Sequence, residues 1–189
     1  MAYFPAFIKL DNQKILLVGG GYIAQEKLEK LLDFTKDITL ISLDYTDSIL
    51  GLIKKHKLTY ETRAYRVGDI KDVAIVIVAV DDLGLQEQIF YESKNYKCLC
   101  NSVDSVKFCD FIFPSYLKQE ELTVAVSTSG ASPAFAKYFR MYLQELIPDG
   151  ISGFLQEMRN LRASIPKGKE RMKMLDEKAK EYISSWSKN

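Results

Sequence analysis

Apolar positions along the chain follow two rhythms. Up to about residue 105, short apolar runs alternate with amphipathic stretches. Residues 14–18 (KILLV) read as a buried strand, and Tyr22–Phe34 follows with Ile23, Leu28, Leu31 and Leu32 at helical spacing. Ile38–Leu43 predicts a second strand, Thr46–Lys55 a second helix, and Leu58–Arg63 a short alternating strand. Asp72–Val80 (DVAIVIVAV) is nearly continuous apolar, as a strand covered on both faces is. Leu83–Asn95 predicts a helix and Lys97–Val103 another strand. Strands alternating with helices imply a parallel α/β sheet with right-handed crossovers.

The second rhythm begins after that. Phe111–Tyr116 and Leu122–Val126 are strand-like and joined by the polar LKQEE, which predicts a hairpin. Ser132–Leu146 reads as a helix with Ser132 as its cap and Pro133 in its first turn. Beyond Pro148-Asp149-Gly150 only helical patterns occur, broken once at Ile165-Pro166-Lys167-Gly168. The expected organisation is an α/β domain over residues 1–112, a small α+β segment over 113–147 and a helical domain over 148–189.

Composition narrows the class. With 189 residues, 47% hydrophobic and 27% charged, the chain is ordinary for a soluble globular protein. No apolar run nears the ~20 residues of a membrane helix. The opening MAYFPAFIKLD has neither a basic n-region nor an apolar h-region, so no signal peptide is expected. Three cysteines, Cys98, Cys100 and Cys109, are odd in number and close together, which points to a reducing, cytoplasmic setting rather than disulfides. A net charge of +1 gives no nucleic-acid footprint. The charge is uneven: nine Lys/Arg against five Asp/Glu from residue 151 onward, and 17 against 20 before it. That basic tail is either a solvated helix surface or an attraction for an acidic ligand.

Candidate chemistry gathers at strand ends. Gly19-x-Gly21-x-x-Ala24 lies between a strand and a helix, where a dinucleotide fingerprint belongs. In that reading Gly19 permits the tight turn, Gly21 lets a pyrophosphate approach the helix N-terminus, and Ala24 keeps helix and sheet close; a glycine-rich turn can also be purely structural. Asp44, after Ser42 and Leu43, falls near the place of the acidic group that binds ribose hydroxyls, or is a helix N-terminal charge. Ser42–Ile53 holds no Arg or Lys, which favours NAD over NADP. Val80 runs into Asp81-Asp82, and Asn101-Ser102-Val103 into Asp104. Each such aspartate is a ligand contact or a helix cap. His56, the one histidine, sits in the polar KKHK, so histidine-based hydride transfer and Ser-His-Asp hydrolysis are excluded. Cys98 and Cys100 share a strand face and read as small buried hydrophobes, with no partners to complete a metal site.

Four stretches in order, YFPAFIKLDNQKILLVGGGYIAQEKLEKLL, IVIVAVDD, CNSVDSVKFCDFIFPS and LTVAVSTSGASPAFAKYFR, resemble the precorrin-2 dehydrogenase family, the N-terminal domain of fused sirohaem synthases. The resemblance covers residues 3 to about 160. It implies a Rossmann-type NAD-binding domain, a dimerisation segment making a homodimer, and a helical C-terminal domain. It implies oxidation of precorrin-2 to sirohydrochlorin with NAD, and in some members insertion of ferrous iron (Fe2+). Cofactor contacts would fall on Tyr22-Ile23 and Leu43-Asp44, and the essential aspartate on Asp104. The eight carboxylates of the tetrapyrrole suit a basic lining, for which Lys137, Arg140, Arg159 and Arg162 are candidates, beside the Ser127-Thr128-Ser129 loop. Two positions depart from the family: Thr128 stands where fused relatives carry a modifiable serine, and Gln86 stands where Asn is common. With no methyltransferase segment expected, a separate methyltransferase would supply the substrate. The alternative of a different class is a non-enzymatic dinucleotide-sensing domain, which leaves the STSGASP loop and the helical tail without a role.

Overall fold

The computed structural model describes residues 3–103 and 105–186. Asp104, singled out above, lies outside the described residues. The chain divides into two compact units that part between Ile112 and Phe113.

In the first unit the chain alternates strand and helix: β1 (Ile15–Val18), α1 (Tyr22–Leu32), β2 (Ile38–Ser42), α2 (Asp47–His56), β3 (Thr59–Thr62), β4 (Ile75–Val78), α3 (Leu83–Asn95) and β5 (Leu99–Ser102). The sheet is parallel, in the order β3-β2-β1-β4-β5, with Leu17 of β1 between Leu40 of β2 and Ile77 of β4. Every residue of β1 and β4 is buried, as a central parallel strand covered on both faces requires. Helix α3 seals one face through Ile89, which joins Leu16, Val18, Val76, Val78, Cys98 and Cys100 in one cluster. This is a Rossmann-type sheet. The direction of winding reverses at β1, so the crevice beyond the carboxyl ends of β1 and β4 is its topological switch point.

Two strands are shorter than their apolar runs predict. β4 starts at Ile75 because Asp72 sits at φ +62° and the Val73 amide closes a turn on the Ile70 carbonyl. β5 starts at Leu99 because Lys97 is left-handed, at φ +55°. In both cases a turn ahead of the strand consumes residues whose apolar character looked continuous with it.

The second unit opens with the antiparallel pair β6 (Ser115–Gln119) and β7 (Leu122–Val126). Its register puts Gln119 opposite Leu122, so only Glu120, at φ +50°, and Glu121 form the turn. Most of LKQEE is therefore strand rather than loop: Leu117 is buried and Lys118 exposed, a period-two alternation. Helices α4 (Pro133–Leu146), α5 (Ile151–Ser164) and α6 (Lys169–Ser184) follow. The Ser132 hydroxyl accepts from the Phe135 amide at 3.2 Å and caps α4. Leu117, Ile147 and Ile151 form a core covered by Leu143, Phe154, Tyr182 and Trp186, with the Phe154 and Tyr182 rings stacked 3.9 Å apart. The other side of α4 leaves Phe135, Tyr138 and Tyr142 more than half exposed.

Candidate functional site

The glycine turn after β1 is squeezed between its neighbours. The Gly19 amide donates to the Ile41 carbonyl of β2, and the Ala79 amide after β4 donates to the Val18 carbonyl. Gly19 has φ +125°, and a Cβ there would lie 2.3 Å from the Ala79 carbonyl oxygen. Gly20 is as crowded on the other side: a Cβ would lie 1.9 Å from the Asp44 carbonyl oxygen and 2.8 Å from the Ser42 hydroxyl. Its carbonyl accepts from the Thr46 amide at 3.0 Å. Gly21 differs from both, since a Cβ on it would meet nothing within 4 Å. Two glycines let the strand ends close together, and the third faces open space. Gly20 was missed in the sequence because the fingerprint spacing assigns roles only to Gly19, Gly21 and Ala24.

Gly21 is also the N-cap of α1, and among the described residues no side chain caps that helix. Its first turn contains no acidic residue; Tyr22 and Ile23 are exposed and Ala24 is fully buried. A helix N-terminus carries unsatisfied N–H groups and partial positive charge, so an uncapped one free of carboxylates suits a phosphate group.

Ser42 and Leu43 end β2, Leu43 being 72% exposed. Asp44 is exposed as well, and among the described residues its carboxylate makes no hydrogen bond or ion pair. It is not the cap of α2. Thr46 holds that position, its hydroxyl accepting from the Ile49 amide. The Asp44 carboxylate is therefore available to a ligand.

At the end of β4 the two aspartates separate in role. Asp82 caps α3 by accepting from the Leu85 amide at 3.0 Å, while Asp81 is exposed beside it. The Val80 carbonyl accepts from the Gln86 amide at 2.8 Å, which pins the strand end. Gln86 is only 4% exposed, and its other polar atom, Oε1, is buried without a partner among the described residues. Asn101 lies inside β5 rather than at its end. It is buried, and its side-chain amide donates to the Phe111 carbonyl at 2.8 Å and contacts Cys109 Sγ. Burial pushes the Cys98 thiol up to about 11 and the Cys100 thiol up to about 12, in keeping with small core residues rather than nucleophiles.

The remaining candidates belong to the second unit. Ser127 Oγ accepts from the Ser129 amide and Thr128 Oγ1 from the Ser132 amide, so two of the three hydroxyls shape the loop. Lys137 is exposed, Arg140 donates to Gln144 on its own helix, and Arg159 pairs with Glu121. Arg162 is exposed. Among the described residues no group of three or more His, Cys, Asp or Glu side chains is placed to hold a metal ion. No described helix is long and apolar enough to cross a membrane.

The open space at Gly21, together with the α1 terminus and the Asp44 carboxylate, both without a partner among the described residues, fits the pyrophosphate and ribose of a dinucleotide. Comparison with known proteins agrees. A family model with the description "Putative NAD(P)-binding" matches residues 6–115, more than half of the chain. The chain belongs to this family. Its relatives include siroheme synthases from Mannheimia succiniciproducens (34% identical over 148 residues, 78% of this chain and 31% of that one) and Nitrosococcus oceani (33% over 165 residues, 87% and 35%). The chain thus spans about a third of the length of these curated relatives. Among solved structures, "SirC, precorrin-2 dehydrogenase" shares the fold with a TM-score of 0.78 and 22% identity, covering 97% of this chain and 93% of that one. The family's dinucleotide-binding character accords with the glycine turn.

Proposed function

We propose that the chain oxidises precorrin-2 to sirohydrochlorin, with NAD as the hydride acceptor. What carries this reading is the built dinucleotide crevice in a chain whose relatives are siroheme synthases at 32–34% identity. A likeness of fold to a precorrin-2 dehydrogenase, extending over both units, points the same way.

NAD, when bound, supplies an acceptor for two electrons and one proton as hydride. The chain's residues do the rest. The N–H groups of Tyr22 and Ile23, opened by Gly21, hold the pyrophosphate. Asp44 accepts from the ribose hydroxyls, with Ser42 and Leu43 beneath it, and its charge disfavours a 2′-phosphate, so NAD is preferred to NADP. Val80, held by Gln86, and Asp81 border the crevice. Loss of hydride from the tetrapyrrole must be matched by loss of a proton, and Asp104, two residues after β5, is the base. Ser127, Thr128, Ser129, Lys137 and Arg140 bind substrate carboxylates, the cations as charge-assisted donors. Asn101 acts by fixing the segment through Phe111.

The protein is a cytoplasmic homodimer in this reading, paired through residues 113–147, with 148–189 as a helical domain. The exposed aromatic face of α4 supports the pairing. A separate methyltransferase supplies the substrate. The test is anaerobic incubation with precorrin-2 and NAD, followed by visible spectroscopy. Sirohydrochlorin should form with NAD and only slowly with NADP. A chain that binds NAD and leaves precorrin-2 unchanged is a sensor or acts on another substrate.

A further inference from the structure

One cation has its backbone against the end of β2, and four of its five N–H donors are engaged. Arg63 follows β3, and its amide donates to the Ser42 carbonyl at 2.8 Å, so its backbone flanks the strand end that touches Gly20. Its guanidinium is gripped from two sides. Nη1 and Nη2 reach the two Asp69 oxygens at 2.7 and 2.9 Å, and Nε reaches Glu61 Oε2 at 2.7 Å. Nη1 donates again to the Ala64 carbonyl at 3.0 Å. Asp69 is itself fixed by the Arg66 amide at 2.7 Å. Side-chain exposure is only 20% for Arg63 and 14% for Asp69, so the bidentate pair is shielded from the screening that weakens surface pairs. Residues 42–47 and 61–69 hold four carboxylates (Asp44, Asp47, Glu61, Asp69) against two guanidiniums (Arg63, Arg66), a local net of −2.

We propose that the Asp69–Arg63–Glu61 clamp is a specificity device: it withholds from the crevice the guanidinium that a 2′-phosphate would need. This rests on the NAD-dependent reading above and extends it from the ribose-binding Asp44 to residues outside the crevice. A 2′-phosphate carries up to two negative charges and is recognised in proteins by a bidentate or stacked arginine. Here the arginine is present and its binding edge is spent on Asp69. The carboxylates act by occupying Arg63. The absence of Lys and Arg from Ser42–Ile53 is only part of the selectivity, because Arg63 lies ten residues beyond that window and arrives through strand pairing.

The test is calorimetric binding of NAD and NADP to the full chain, without substrate. Glu61→Gln/Asp69→Asn should lower the ratio of the NADP to the NAD dissociation constant about tenfold, the scale of one charge-assisted contact to phosphate. Adding Arg63→Met should abolish that gain. Arg63→Met alone should leave the ratio unchanged, and it stays informative if the double variant does not fold. The proposal is overturned if the double variant binds NAD normally with an unaltered ratio. A gain that survives the loss of Arg63 overturns it too, since the field alone would then explain it. So does Arg63→Met alone weakening NADP selectively, which would mean the guanidinium was free. If the unaltered chain binds neither dinucleotide, the cofactor reading fails first, a result distinct from all of these.

Discussion

Gly20 and the backbone of Asp44 are in van der Waals contact: a Cβ on Gly20 would stand 1.9 Å from the Asp44 carbonyl oxygen. The middle glycine of Gly19-Gly20-Gly21 therefore serves the fold, and Gly21, which faces open space, is the one that the proposed function gives to the ligand. Gly20→Ala should be destabilising by about 1–3 kcal/mol or prevent folding, as other overpacked sites are. Gly21→Ala should leave the melting temperature nearly unchanged while weakening NAD about tenfold or more, which is ~1.4 kcal/mol of binding. Thermal denaturation and calorimetry on the two variants separate the roles. The opposite pattern would reassign both glycines.

The clamp also predicts a pH dependence of stability. Burial raises the Asp69 pKa, but hydrogen bonds from Arg63 and the Arg66 amide outweigh it and hold the carboxyl below its ordinary value. A depressed carboxylate stabilises the fold above its unfolded pKa of ~3.9, and that contribution is lost as pH falls through the folded value. At pH 7 Asp69→Asn should cost about 1–2 kcal/mol. As pH falls below the folded Asp69 value the two proteins should converge. Urea denaturation at pH 7 and through the acid range checks this, and a gap that persists once the carboxyl is protonated would assign the loss to packing rather than charge.

The exposed face of α4 predicts self-association. Phe135 and Phe139 stack on each other along the helix, and Tyr138 and Tyr142 are more than half exposed, which is an uncommon concentration of aromatic surface. Light scattering at micromolar concentration should give a dimer. Tyr138→Asp/Tyr142→Asp should give a monomer of unchanged helix content. A monomeric wild-type chain with full activity would rule the pairing out.

Asp104 predicts a loss of turnover without a loss of fold. Proton transfer by a positioned base contributes ~10²–10⁴-fold in rate, so Asp104→Asn should slow single-turnover oxidation of precorrin-2 by that order, with NAD affinity and melting temperature near those of the unaltered chain. Where the protein also inserts ferrous iron, pyrrole N–H deprotonation draws on the same group and both activities should fall together. A folded, NAD-binding variant with near-normal turnover would remove Asp104 from the chemistry.

The alternation of strand and helix, the glycine turn and the capped α4 were legible because each is written in contiguous residues. The Ser132 cap and Pro133 of α4 stand where the sequence put them. The starts of β4 and β5 were not legible, because left-handed Asp72 and Lys97 are set by turn geometry and carry no glycine to announce them. The purpose of Gly20 and the capture of Arg63 were hidden for another reason. Both depend on which strands lie side by side: Gly20 meets residues 42–46 through the pairing of β1 with β2, and Arg63 meets Ser42 through the pairing of β2 with β3. Asn101 shows the same limit in reverse: a polar residue near a strand end that turns inward to a backbone carbonyl ten residues on.

Oxidation of a reduced tetrapyrrole at the dinucleotide crevice is tested most directly by an anaerobic single turnover of precorrin-2 with NAD, following sirohydrochlorin and reduced dinucleotide together. Both should appear at one rate and in equal amounts, and at subsaturating NAD Gly21→Ala should slow both. Sirohydrochlorin forming without reduced dinucleotide, or tight NAD binding with no change in the tetrapyrrole spectrum, would contradict it.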